Sequence, residues 1–82
     1  MLKIKDNIDL KELEKYGFEY FNEINCYVRK KEFGPIITTV SIWEDNNEIT
    51  SNLNTEDTKN LLIDDLIKDG LVEKVEVKNE NN

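Results

Sequence analysis

The chain has 82 residues, with 18 Asp and Glu against 11 Lys and Arg, a formal net charge of −7, no histidine and one cysteine. Without His there is no common general base near neutral pH and no Ser–His or Cys–His couple. With one Cys besides, neither an ordinary zinc site nor an internal disulfide can form.

A chain of this length is expected to be one domain, spanning 1–77, with the polar tail 78–82 disordered. Its acidity argues against a direct nucleic-acid binder, which needs a basic footprint, and suits a protein partner with a basic surface. No apolar run approaches the length of a membrane span. The opening Met1-Leu2-Lys3-Ile4-Lys5 lacks the apolar stretch of a signal peptide. A single Cys fits a reducing cytosol, so the expected location is the cytoplasm.

Met1 to Lys5 is a candidate edge strand. Residues 9–17 then read as a short helix. Asp9 caps it, Glu12 follows three residues on as in a capping box, and Ile8 and Leu13 match a hydrophobic staple. Gly17 supplies the left-handed residue after the last turn, and Phe18 folds back on Leu13 as in a Schellman ending. Phe18 to Phe21 is the first strand of a sheet, turned by Asn22-Glu23, and Cys26 to Lys30 is the second. Gly34-Pro35 breaks the chain, because Pro cannot donate to a ladder. Ile36 to Trp43 is the third strand, rich in β-branched residues. Glu44 to Asn47 is a hairpin loop, since Asn tolerates positive φ. Glu48 to Leu53 is the fourth strand.

Residues 55–69 predict the second helix, capped by Asn54 or Thr55, with Glu56 and Asp57 at the positive end of its dipole. Leu62, Ile63, Leu66 and Ile67 make its apolar face. Gly70 ends it and Leu71 packs back on Leu66, as at the first helix. Val72 to Val77 offers a last strand. The pattern is that of an α+β fold: a four-stranded antiparallel meander with two short helices packed on one face.

Chemistry-bearing motifs are few. Gly17, Gly34 and Gly70 are scattered, so there is no phosphate-binding glycine loop. Asp57, Asp64, Asp65 and Asp69 fan over a broad arc of a helix instead of meeting at one centre. The Asp45 to Glu48 loop lacks the spacing and glycine of a calcium-binding loop. Cys26 reads as a small buried hydrophobe. Arg29-Lys30-Lys31 guards against edge pairing or bridges to an acidic neighbour. Catalytic residues, metal ligands and cofactors are therefore not expected.

Two features suggest contact surfaces. If both helices cover one face of the sheet, alternation sends Val40, Ile42, Ile49 and Leu53 inward and leaves Ile37, Thr39, Ser41 and Trp43 outside. Tyr27 and Arg29 of the neighbouring strand are expected on the same outer side. Tyr27, Ile37 and Trp43 then form a candidate contact patch. On the second helix, Leu61 lies opposite the core residues, among Asp57, Asp64 and Asp65. A leucine ringed by carboxylates suits an anchor for a basic-rimmed apolar pocket.

The chain resembles a group of small uncharacterised phage and prophage proteins of low-GC Gram-positive bacteria. The likeness rests on residues 2–18, LKIKDNIDLKELEKYGF, and on residues 66–75, LIKDGLVEKV. The absence of alanine and the abundance of Lys, Asn and Ile are in keeping with AT-rich codons. The group carries no activity or site residues over to this chain. The resemblance implies a context, a small protein made inside a bacterium among genes that manage the host or its defences.

The expected function is that of a non-enzymatic protein that binds and inhibits a host protein, a defence or nucleic-acid-processing factor. The alternatives are a structural homo-oligomer pairing through the outer sheet face and a small-ligand sequestering protein, for which so thin a core is expected to hold no pocket except between subunits. The lack of His, the single Cys and the absence of convergent carboxylates predict that chelator treatment leaves the Tm unchanged. A shift of several degrees, restored by zinc or calcium, would contradict that expectation.

Overall fold

The computed structural model describes residues 1–52 and 60–75. The elements are β1 (Leu2–Ile4), a 3-10 helix (Leu10–Tyr16), β2 (Glu19–Phe21), β3 (Cys26–Phe33), β4 (Ile36–Trp43), β5 (Ile49–Ser51), α1 (Asp64–Lys68) and β6 (Val72–Lys74).

The first helical segment is held at both ends. The Asp9 carboxylate accepts from the Lys11 N–H at 3.0 Å. At the far end Gly17, at φ 88°, donates to the Glu14 carbonyl, and Phe18 donates to the Leu13 carbonyl, which is the Schellman pair of bonds. Leu13 and Phe18 are both buried beside that ending. The segment winds as a 3-10 helix, with Glu12 N–H on the Asp9 carbonyl at 2.9 Å. Seven residues between two pinned ends are too few for an α ladder to gain much by propagation. Glu12 departs from the capping-box geometry, because its carboxylate takes Lys15 at 3.0 Å.

β2, β3, β4 and β5 form one antiparallel sheet in sequence order. Phe33 pairs with Ile36, so Gly34-Pro35 is the two-residue turn of a hairpin whose strands run eight residues each. The terminal strands form a second, two-stranded antiparallel sheet, with Leu2 opposite Lys74 and Ile4 opposite Val72. That pair is tied to the larger sheet by a Lys3–Glu48 bridge and by Ile4 N–H on the Asn47 carbonyl at 2.9 Å. β6 ends at Lys74, short of the Val77 expected, and residues 76–77 lie outside the described residues. Leu53, expected inward, and the tail 78–82 lie outside them too.

The core lies between the sheet and the helical layer. Val40, Ile42 and Ile49 of the sheet meet Leu13, Phe18, Leu62, Ile63, Leu66 and Leu71, with Leu2 and Ile4 closing one side. No described helix is long and apolar enough to cross a membrane.

The second helical segment differs from the single helix 55–69 expected. Residues 60–62 are helical, Ile63 leaves helical geometry at φ −129°, and α1 follows. In an unbroken helix the Leu62 carbonyl would accept from the Leu66 N–H. Here Arg29 Nη2 donates to that carbonyl at 2.7 Å, and Asp65 Oδ1 accepts from that N–H at 2.9 Å. An ion pair thus takes over the bond that the break removes. α1 ends as predicted, with Gly70 at φ 77° and Leu71 N–H on the Leu66 carbonyl at 3.0 Å.

Both helix endings need a residue that tolerates positive φ. Gly17→Ala and Gly70→Ala are each expected to cost about 1 kcal/mol, from backbone strain and not from crowding. Denaturant midpoints check this, and unchanged midpoints in both variants would contradict the assigned strain.

Candidate functional site

The phase of the sheet decides which side chains are available. Cross-strand partners point to the same side. Tyr27 stands opposite Ile42 and Arg29 opposite Val40, so both face inward with the core residues of β4. This corrects the placement expected of them. Odd positions of β3 share a side with even positions of β4, because the hairpin turns through two residues and an antiparallel register sums to an odd number.

Tyr27 is only 6% exposed, and its ring packs tilted against Tyr20, with the centroids 4.8 Å apart. It is a core residue and is no longer a contact candidate.

Arg29 crosses the layer gap. Nη1 donates to the Tyr16 carbonyl at 2.9 Å and to Asp65 Oδ2 at 2.8 Å, while Nη2 reaches the Leu62 carbonyl and Asp65 Oδ1. Its guanidinium lies 4.5 Å from the centroid of the Phe18 ring. Asp65 is expected from the sequence among the outward carboxylates around Leu61. It is instead the carboxylate that pairs with Arg29, and that hydrogen bond holds its pKa below the ordinary 3.8. The Tyr16 hydroxyl donates to Asp69 at 2.6 Å and ties the 3-10 helix to the end of α1.

The outer face is reached by the other parity. Phe21, Cys26 and Trp43 stand in one cross-strand row, Val28 and Ser41 in the next, and Glu32 and Ile37 near the hairpin tip. Ile37 is 57% exposed. Trp43 is half-buried, with its indole N–H on Thr50 Oγ1 at 2.9 Å. Among the described residues no helix lies on this face, and β6 pairs with β1 instead of folding over it. Cys26 is buried, and that burial pushes its thiol pKa up, away from the thiolate a nucleophile needs.

A second surface lies between α1 and the two-stranded sheet. Leu2, Asn60, Leu61, Asp64, Ile67 and Val72 line much of a groove of about 750 Å³. The groove is shallow and wide open to solvent, unlike the enclosed clefts that bury a small molecule. Leu61 is 63% exposed and Asp64 stands exposed beside it. Ile67, expected in the core, is 41% exposed and joins Leu61 here. Asp57 lies outside the described residues. The structure therefore holds Ile37 and Trp43 on one surface and Leu61 and Asp64 on another.

No family model matches the chain, and neither a curated protein nor a solved structure is significantly similar to it. Among the described residues no group of three Cys, Asp or Glu side chains is placed to hold a metal ion. What the geometry brings together is exposed apolar area next to carboxylates.

Sequence reasoning missed three things here. The inward Arg29 followed from the turn length, had the two-residue hairpin been used to set the phase. The groove needs the pairing of β1 with β6, which short local signals do not encode. The exposed Phe21 and Ile24, 41% and 51% accessible, carried a signal in their setting within a cation-free stretch.

Asp65→Asn is expected to cost about 1 kcal/mol near neutral pH, a modest value because the carboxylate side chain is 44% exposed and screened by solvent. A folded pKa held below its unfolded value stabilises above the unfolded pKa and stops doing so as pH falls through the folded one. The difference from wild type should therefore narrow below about pH 4. Asp64→Asn should leave stability within about 0.5 kcal/mol of wild type. Denaturant midpoints across pH check both, and equal effects of the two substitutions would contradict the ion-pair assignment.

Proposed function

We propose that this chain is a small, acidic, non-enzymatic binding protein of phage type that occupies a basic surface of a host protein and blocks it. A defence or nucleic-acid-processing factor is the partner class that fits the resemblance to phage and prophage proteins. The observation that carries the reading is the sheet face on which no described helix lies, with Ile37 57% and Phe21 41% exposed in a chain of net charge −7. Exposed apolar side chains on a rigid sheet are suited to anchor a contact. Surrounding carboxylates steer a cationic partner and stand in for the phosphates it otherwise holds.

A second reading is a homo-oligomer pairing through the same face. It is favoured by the mixture of Glu19, Lys30 and Glu32 along that face, which allows opposite charges to meet across a two-fold axis.

The two readings separate by mass and by salt. Light scattering is expected to give the mass of one chain at micromolar concentration. Nuclease-treated lysate of a low-GC Gram-positive bacterium, passed over the immobilised chain, is expected to leave one basic protein bound in fixed ratio and released by salt. Ile37→Asp should reduce that retention several-fold with an unchanged Tm. A mass of two chains that Ile37→Asp halves would instead favour the homo-oligomer.

A further inference from the structure

Tyr20, Phe21 and Ile24 are exposed apolar residues at the end of the four-stranded sheet opposite the Gly34-Pro35 hairpin. In an antiparallel meander the β2–β3 turn and the β4–β5 loop lie at the same end. Here they are joined directly, with the Glu44 N–H on the Asn25 carbonyl at 3.0 Å. The Tyr20 hydroxyl donates to Glu44 Oε1 at 2.8 Å, fixing that carboxylate over the junction. The Trp43 N–H on the Glu48 carbonyl and the Asn47 N–H on the Trp43 carbonyl close the second loop. On this framework sit Ile24, 51% exposed, Phe21, 41% exposed, and the half-buried Trp43 in the same row as Phe21.

We infer that this loop end, built on Phe21, Ile24 and Trp43, is the contact surface for a protein segment that presents an apolar side chain flanked by Lys or Arg. The inference rests on the reading of the chain as a binder of a basic partner, and it names the surface. Charge complementarity selects the occupant. Glu19, Glu23, Glu44 and Asp45 are exposed around the apolar residues. The stretches that build this end, 16–28 and 41–52, contain no Lys or Arg. Lys3, which approaches through its bridge to Glu48, is engaged by Asp6 at 2.8 Å. A neutral or acidic segment would leave these carboxylates facing no counter-charge, and a nucleic acid would be repelled. The apolar centre makes a purely electrostatic partner insufficient, because desolvated apolar anchors dominate the affinity of protein contacts. Loops already hydrogen-bonded to each other lose little freedom on binding.

The test titrates the ¹⁵N-labelled chain at low salt with a short lysine-rich peptide carrying a central Leu-Phe pair, and with the same peptide carrying Ser-Ser. Amide shift changes are expected to concentrate in residues 19–25 and 43–46. The Ser-Ser peptide should bind about tenfold more weakly, and Ile24→Ser and Glu23→Lys should each weaken the Leu-Phe peptide about fivefold or more. Leu61→Ser should not change its affinity. All three sites are exposed, so thermal melts should match wild type. Shift changes centred on the Leu61 groove, or equal binding of the two peptides, would overturn the assignment of this surface and leave the broader reading standing. No binding of either peptide at low salt would remove the basic partner itself. A doubling of mass by light scattering that Ile24→Ser abolishes would give the surface to a second copy of the chain and overturn the inference.

Discussion

Arg29 reaches inward from the middle of β3 and joins the four-stranded sheet to both helical segments. Its guanidinium satisfies the last carbonyl of the 3-10 helix, the carbonyl left open at the break before α1, and the Asp65 carboxylate. One face of the same group lies over Phe18. Its buried Nε has no hydrogen-bond partner, so the enclosed charge is offset through Nη1 and Nη2, which hold the Asp65 carboxylate and two carbonyls. The positions of both helical segments are therefore coupled to one strand of the sheet. With an apolar core limited by chain length, a directional tie of this kind sets how the helices sit where packing alone leaves more freedom.

That tie divides the surface of the molecule. Asp65 and Asp69 are drawn to Arg29 and Tyr16, so the carboxylates of α1 are not one uniform acidic face. Asp64 remains outward, beside the groove that Leu61 and Ile67 share with the terminal strands. The sheet, covered by the helical layer on one side, presents Phe21, Ile37 and Trp43 on the other. Its two loops, bonded to each other, concentrate carboxylates around Phe21 and Ile24. Binding by rigid, charged and partly apolar surfaces asks little of the fold beyond holding these residues still, which suits a chain with so few catalytic side chains.

The local grammar of the chain was legible because its causes are local. Asp9, Gly17 and Gly70 act within one turn of backbone, and the Schellman bonds on Leu13 and Leu66 follow from them. The β-branched run of β4 and the Asn-rich loop after it predicted the meander for the same reason. Ile37 and Trp43 stood on the outer face as their alternation required, and Leu61 stood exposed as its helical position required. Tyr27 and Asp65 did not follow, since the first depends on the register between two strands and the second on a partner 36 residues away.

The sequence by itself determined the class of fold, the helix endings, the inward residues of β4 and an acidic character with no histidine and one cysteine. These rest on periodicity, capping and composition, which act along the chain. Tertiary structure decided the rest. The two-residue turn set the parity between β3 and β4, and so sent Arg29 and Tyr27 inward. The pairing of β1 with β6 made the groove, and the meeting of two distant loops gathered Phe21, Ile24 and Trp43 with their carboxylates. Each of these depends on which segments meet in space, and the free energy that selects such meetings comes from burying the whole core at once and not from any single stretch of residues.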